Sequence, residues 1–91
     1  MDKNEQFENL RKELNKTKNW PIVYMFKFIF PADSKTQALV ESKFSNDSVI
    51  TQNMSANGKY ISITVKEVML DADSIINKYI EVGQIEGVMA F

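Results

Sequence analysis

Apolar residues along this chain repeat with two spacings, every third or fourth residue and every second, and the switches between them mark its elements. The first segment, 2–16, places Phe7, Leu10 and Leu14 on one narrow helical stripe. Glu8 and Lys12 stand four apart in the orientation that favours pairing. Three apolar residues make a weak face. The segment therefore predicts either a helix resting on the edge of a domain or a docking helix for a partner or second subunit. A polar connector, Asn15–Asn19, follows.

Pro21 lacks an N–H and biases Trp20 toward extended geometry. From Ile22 to Phe30 the period becomes two. Tyr24, Phe26, Phe28 and Phe30 fall on one face, and Val23, Met25, Lys27 and Ile29 on the other. Both faces are largely apolar, which predicts a central strand with its aromatic side under helices and Lys27 on the more open side. Pro31 ends the strand. Ser34 and Gln37 fit a capping box for a helix running to about Phe44 and burying Leu39, Val40 and Phe44, with Asp33 as the competing cap. Val49–Met54 reads as a strand, and Thr51, Gln52 and Asn53 put it at an edge.

Asn57-Gly58 then predicts a two-residue hairpin of type I′, both residues tolerating positive φ. The strand from Lys59 to Val68 alternates most cleanly of all. Ile61, Ile63 and Val65 face inward, and Tyr60, Ser62, Thr64 and Lys66 face out. Asp71 is the expected N-cap of the next helix, with Asp73 in its first turn. Ile75, Ile76, Tyr79 and Ile80 form its predicted stripe, and Gly83 the left-handed residue that ends it. Residues 85–91 read as a short closing strand, in which Gly87 marks a bulge or a close approach of another backbone.

A leading helix followed by β-α-β-β-α-β predicts an α+β fold. Two split βαβ units form a ferredoxin-like antiparallel sheet of order 4-1-3-2 with both helices on one face. Residues 1–19 form the helix and connector, and 20–91 a single domain. At 91 residues the chain leaves little material for a deep cleft.

Composition narrows the chemistry. There is no cysteine, so disulfides, thiolate metal sites and cysteine nucleophiles are excluded. There is no histidine, which removes the commonest general base and the commonest transition-metal ligand. The reading is a non-enzyme with no catalytic residue, metal or cofactor. Eleven basic against 12 acidic residues argue against a protein built to neutralise nucleic-acid phosphates. No apolar run is long enough to span a bilayer, and the N-terminus lacks the apolar core of a signal peptide. The expected setting is the cytoplasm, with no membrane partner.

What remains is the sheet face away from the helices. The predicted register places Met25, Lys27, Ile29, Tyr60, Ser62, Thr64 and Lys66 there, beside Val23. That is more apolar than a monomer needs. The face is partly solvated, covered by the N-terminal helix, buried in a homodimer, or used for a protein partner or small-molecule ligand. RNA-recognition domains share this topology and stack bases on aromatics of the central strands. Here the matching segment, Gly58–Val65, offers only Tyr60, and the other strand's aromatics point the opposite way. Asp71 and Asp73 are explained by capping rather than by a metal.

Three segments carry a resemblance: P-I-V-Y-M-F-K-F-I-F at Pro21–Phe30, G-K-Y-I-S-I-T-V-K-E-V at Gly58–Val68, and I-E-G-V at Ile85–Val88. With them, residues 20–91 resemble the YbeD-like family, small bacterial proteins classed as a domain of unknown function. That family is similar in fold to ACT domains, ferredoxin-like regulatory modules that bind amino acids at subunit interfaces. The resemblance implies a regulatory or interaction role. Amino-acid-binding ACT domains generally carry a glycine between first strand and first helix, and the loop here, Pro31-Ala32-Asp33-Ser34-Lys35, has none. The expectation is an interaction or regulatory module acting through its open face. An ACT-like metabolite sensor is the alternative, and an RNA-binding ferredoxin-like domain the second alternative.

Overall fold

The computed structural model of the chain describes residues 3–17 and 19–91. The expected helix start at Asp2 and the connector residue Lys18 lie outside the described residues. The elements are α1 (Lys3–Leu14), β1 (Ile22–Pro31), α2 (Ser34–Glu41), β2 (Val49–Met54), β3 (Tyr60–Met69), α3 (Ala72–Gly83) and β4 (Met89–Ala90). Together they form an α+β fold with three helices and an open four-stranded sheet among the described residues. The strand order is β2-β3-β1-β4, or β4-β1-β3-β2 from the other edge, and each neighbouring pair is antiparallel.

Alternation in β1 and β3 builds the core. Phe26, Phe28 and Phe30 of β1 are buried, and so are Ile61, Ile63 and Val65 of β3. The same cluster takes in Val40 of α2, Phe44 beyond it, Ile75 and Val82 of α3, and Leu14 of α1. All three helices therefore pack on the aromatic side of the sheet. Phe26 meets Phe44 at 5.4 Å and the edge of Tyr79 at 5.2 Å between ring centres, within the range of favourable aromatic contact.

α1 lies against α3. Leu14 is buried, Leu10 packs beside the core, and the Arg11 guanidinium pairs with Asp73. The helix thus rests on the domain, and it does not cover the opposite sheet face. Glu8 sits 3.6 Å from Arg11 Nε, three residues on, where pairing with Lys12 was expected.

Several local expectations are corrected. Asp33, not Ser34, caps α2: its carboxylate accepts from the Lys35 N–H (3.2 Å) and the Thr36 hydroxyl (3.0 Å). Asp33 offers two oxygens from an extended backbone, whereas Ser34 is already helical. α2 stops at Glu41, short of Phe44, and the Ser42 hydroxyl closes it onto the Leu39 carbonyl (2.6 Å). Leu39 is exposed. In α3 the stripe runs through Ile75, Ile76, Tyr79 and Val82, and Ile80 is exposed.

The glycines also move. Gly83 is the last residue of α3 and is not left-handed; the left-handed glycine is Gly87, at φ 85°. Gly87 precedes β4, and a Cβ there would lie 3.2 Å from the Pro31 ring, so it marks a close approach to a side chain and not a bulge. β4 itself is only two residues long. The hairpin is not a two-residue type I′ turn. Ser55–Gly58 form the turn, with the Gly58 N–H donating to the Ser55 carbonyl (2.9 Å). Only Gly58 is left-handed, at φ 73°. Asn57 acts through its side chain, which accepts from the Lys59 N–H (3.0 Å). β1 is central along its whole length only toward β3; toward β4 it is paired at Phe28 and Ile29 alone.

Candidate functional site

The sheet register gathers the seven residues singled out in the sequence on one face. Met25 pairs with Lys66, Lys27 with Thr64, Ile29 with Ser62, and Tyr60 lies across from Pro31. Met25 and Tyr60 are close to half exposed, Lys27 and Lys66 are exposed, and Ile29, Ser62 and Thr64 are intermediate. The face is wider than the sequence reading made it. Val68 continues β3 on the same side, and Val49 joins from β2, opposite Lys66. Met89 joins from β4, opposite Ile29. Val23, Val49, Val68 and Met89 are all more than half exposed. The signal for these was present: alternation carries Lys66 on to Val68, and pairing across the hairpin sets Val49 beside Lys66.

Charge on this face is one-sided. Its strand positions include Lys27 and Lys66 and no aspartate or glutamate. Glu67 of β3 points to the other side. Its carboxylate accepts from the Ser45 N–H (2.7 Å) and lies 3.9 Å from Lys78 Nζ. Lys78 also donates to the Lys43 carbonyl and sits over the Phe44 ring, 5.0 Å from its centre. This largely buried pair ties the turn before β2 to α3, a structural duty. Lys27 and Lys66 are diagonal neighbours across β1 and β3, roughly 7–8 Å apart by ladder geometry.

The clefts hold little chemistry. One, about 470 Å³, lies between α1, α3 and β4 and is lined by Phe7, Tyr79, Ile80 and Val88. Its phenol at Tyr79 is bonded to the Tyr24 hydroxyl (3.0 Å). Burial, reinforced by that bond, pushes the Tyr79 phenol above its ordinary value of 10.0, so it is no base near neutrality. A second cleft, about 450 Å³, lies at the β1–α2 loop between Pro31, Lys35 and Glu86. Asp33 borders it, with its carboxylate held below the ordinary 3.8 by the Thr36 hydroxyl and the Lys35 N–H. Asp71 is committed likewise, to the Ser74 hydroxyl and N–H, both at 2.7 Å. Among the described residues no three His, Cys, Asp or Glu side chains gather as a metal site, and no helix is long and apolar enough to cross a membrane.

Comparison of the chain with family models, with curated proteins and with solved structures finds no match.

Proposed function

We propose that the chain is a ferredoxin-like, non-enzymatic cytoplasmic module that works by association through its open sheet face. The observation that carries this reading is the uncovered face itself: six exposed large apolar residues beside two lysines, with every helix on the far side of the sheet. Exposed apolar area of that kind marks contact surfaces. The element order, the all-antiparallel pairing and the adjacency β4-β1-β3-β2 support the ferredoxin-like assignment. The YbeD-like resemblance of residues 20–91, with the regulatory or interaction role it implies, is in line with it. Metabolite sensing has less support, because the cleft at the β1–α2 loop has its carboxylate already engaged by the helix cap. RNA binding has one aromatic platform on the face, Tyr60.

The test is site-specific photo-crosslinking in cells. A photoreactive residue at Thr64 reports on the open face, and one at Glu81, exposed on α3, is the control. The expected result is a protein adduct from Thr64 that is absent from Glu81 and lost in a Met25→Asp background. Equal labelling from both positions, or none from Thr64, would overturn the reading.

A further inference from the structure

β1 pairs with β3 along ten residues, from Ile22 with Met69 to Pro31 with Tyr60. On its other side β4 reaches only Phe28 and Ile29, and the Phe91 N–H donates to the Lys27 carbonyl (3.0 Å). That last bond fixes the parity of the strand. In an antiparallel ladder the N–H and C=O of one residue point to the same side, and successive residues alternate. Lys27 points toward β4, so Met25 and Val23 point the same way, beyond the last residue of β4. The hairpin gives the same parity independently. The Tyr60 carbonyl accepts from the Ser55 N–H, so even-numbered residues of β3 face β2 and odd-numbered ones face β1. Among the described residues, two N–H and two C=O groups therefore line a sheet edge with no strand beside them. Among the described residues no other hydrogen bond reaches the Val23 or Met25 backbone, and the two residues are 65% and 46% exposed.

Sheet edges are normally blunted by lysine, proline, a bulge or a cover. From Ile22 to Phe26 this edge has none of the first three: I-V-Y-M-F pairs with β3 without interruption. The opposite edge, β2, is more polar, with Thr51, Gln52 and Asn53, and on its helix side Gln52 bonds to the Gln37 side chain.

We infer that the free edge of β1 receives an extended segment of a partner protein, which adds a strand beside Val23 and Met25 and sets a carboxylate against Lys27 and Lys66. The inference rests on the association reading and names the partner's chemistry. Unpaired backbone groups in a row call for another extended backbone. Exposed Val23 and Met25 call for apolar residues at alternate positions of the added strand. Two neighbouring lysines on a face without carboxylates call for an acidic group. A second copy joined face to face would bring two more lysines and no acid.

The test uses the full chain and short random peptides displayed on phage. Selected peptides are synthesised and followed by amide hydrogen exchange and NMR shifts. The expected peptides alternate apolar and acidic residues. They slow exchange at Val23 and Met25 by about tenfold or more, leaving Tyr24 and Phe26, already bonded to β3, unchanged. Met25→Pro removes one outward N–H and no β3 bond, a placement that edge strands tolerate. It is expected to bind about tenfold more weakly with its melting curve retained. Should that variant unfold, exchange in the unmodified chain decides alone. Lys27→Glu is expected to select against acidic peptides. Peptides that shift Tyr60 and Thr64 but leave Val23 and Met25 unprotected would overturn the edge and leave the association reading standing. Peptides that perturb neither surface would count against both. Protection that rises with protein concentration, without peptide, would make the occupant a second copy and overturn the partner assignment.

Discussion

Replacing Leu14 by alanine asks whether α1 belongs to the core or merely leans on it. Leu14 is 8% exposed and sits in the same cluster as Phe26, Ile63 and Ile75. Leucine-to-alanine changes at enclosed sites cost about 2–5 kcal/mol, the spread reflecting how far the site collapses. Leu14 lies at the margin, on a helix held chiefly by α3, so neighbours can close in and the lower part of the range applies, about 2–3 kcal/mol. For a domain of this length each kcal/mol moves the midpoint by about 4–8 °C, so melting should fall by roughly 10–20 °C. Leu10 and Phe7 are only partly buried, and alanine there should cost about 1 kcal/mol each. The cost should therefore fall toward the helix start. Arg11→Ala, which breaks a largely exposed pair with Asp73, should cost below about 1 kcal/mol. Urea unfolding followed by circular dichroism measures all four. A loss under about 0.5 kcal/mol at Leu14, or a cost that rises toward Phe7, would refute the assignment of α1 to the core.

Glu67→Ala leaves the Ser45 N–H and Lys78 without their carboxylate and should cost about 1–3 kcal/mol, while Glu67→Gln keeps an acceptor and should cost less; equal losses in urea melts would show that the Ser45 bond is irrelevant. Gly87→Ala forces a side chain into the left-handed region and against Pro31, and should cost about 1–2 kcal/mol and speed amide exchange in β4. Asp71 caps α3, and the Ser74 hydroxyl, then its N–H, hold the carboxyl below its ordinary 3.8. A lowered folded value means the contribution is complete above 3.8 and disappears as pH falls through the folded value. Asp71→Ala should therefore melt lower than the parent at neutral pH, and the gap should close on acidification. A gap independent of pH would remove the carboxylate from the account.

Period-two alternation was the most readable feature of the sequence, because it is set by burial of one sheet face. It fixed β3 and the buried side of β1, and it brought Met25, Lys27, Ile29, Tyr60, Ser62, Thr64 and Lys66 to one surface. Helix ends were read less well, because they turn on competition between adjacent groups. Asp33 outcompeted Ser34 by supplying two acceptors, and α3 ended in a right-handed turn that left Gly83 nothing to do. Ile80 and Leu39 show that apolar character does not by itself mean burial: both are exposed, and the stripe of α3 continues through Val82. The open edge of β1 was hidden for another reason. Nothing in the residues from Ile22 to Phe26 reports that β4 meets this strand over only two positions; that is a property of the pairing between distant segments.

The one-sided charge of the open face has a consequence for how a partner would arrive. Seen from beyond a screening length, about 8 Å at physiological salt, the protein is nearly neutral, with a net charge of −1. Its field therefore does little to steer an acidic partner from a distance. Only at contact does such a partner meet Lys27 and Lys66 with no carboxylate of the face beside them. Discrimination would then fall mainly on how long a complex lasts, not on how often one forms.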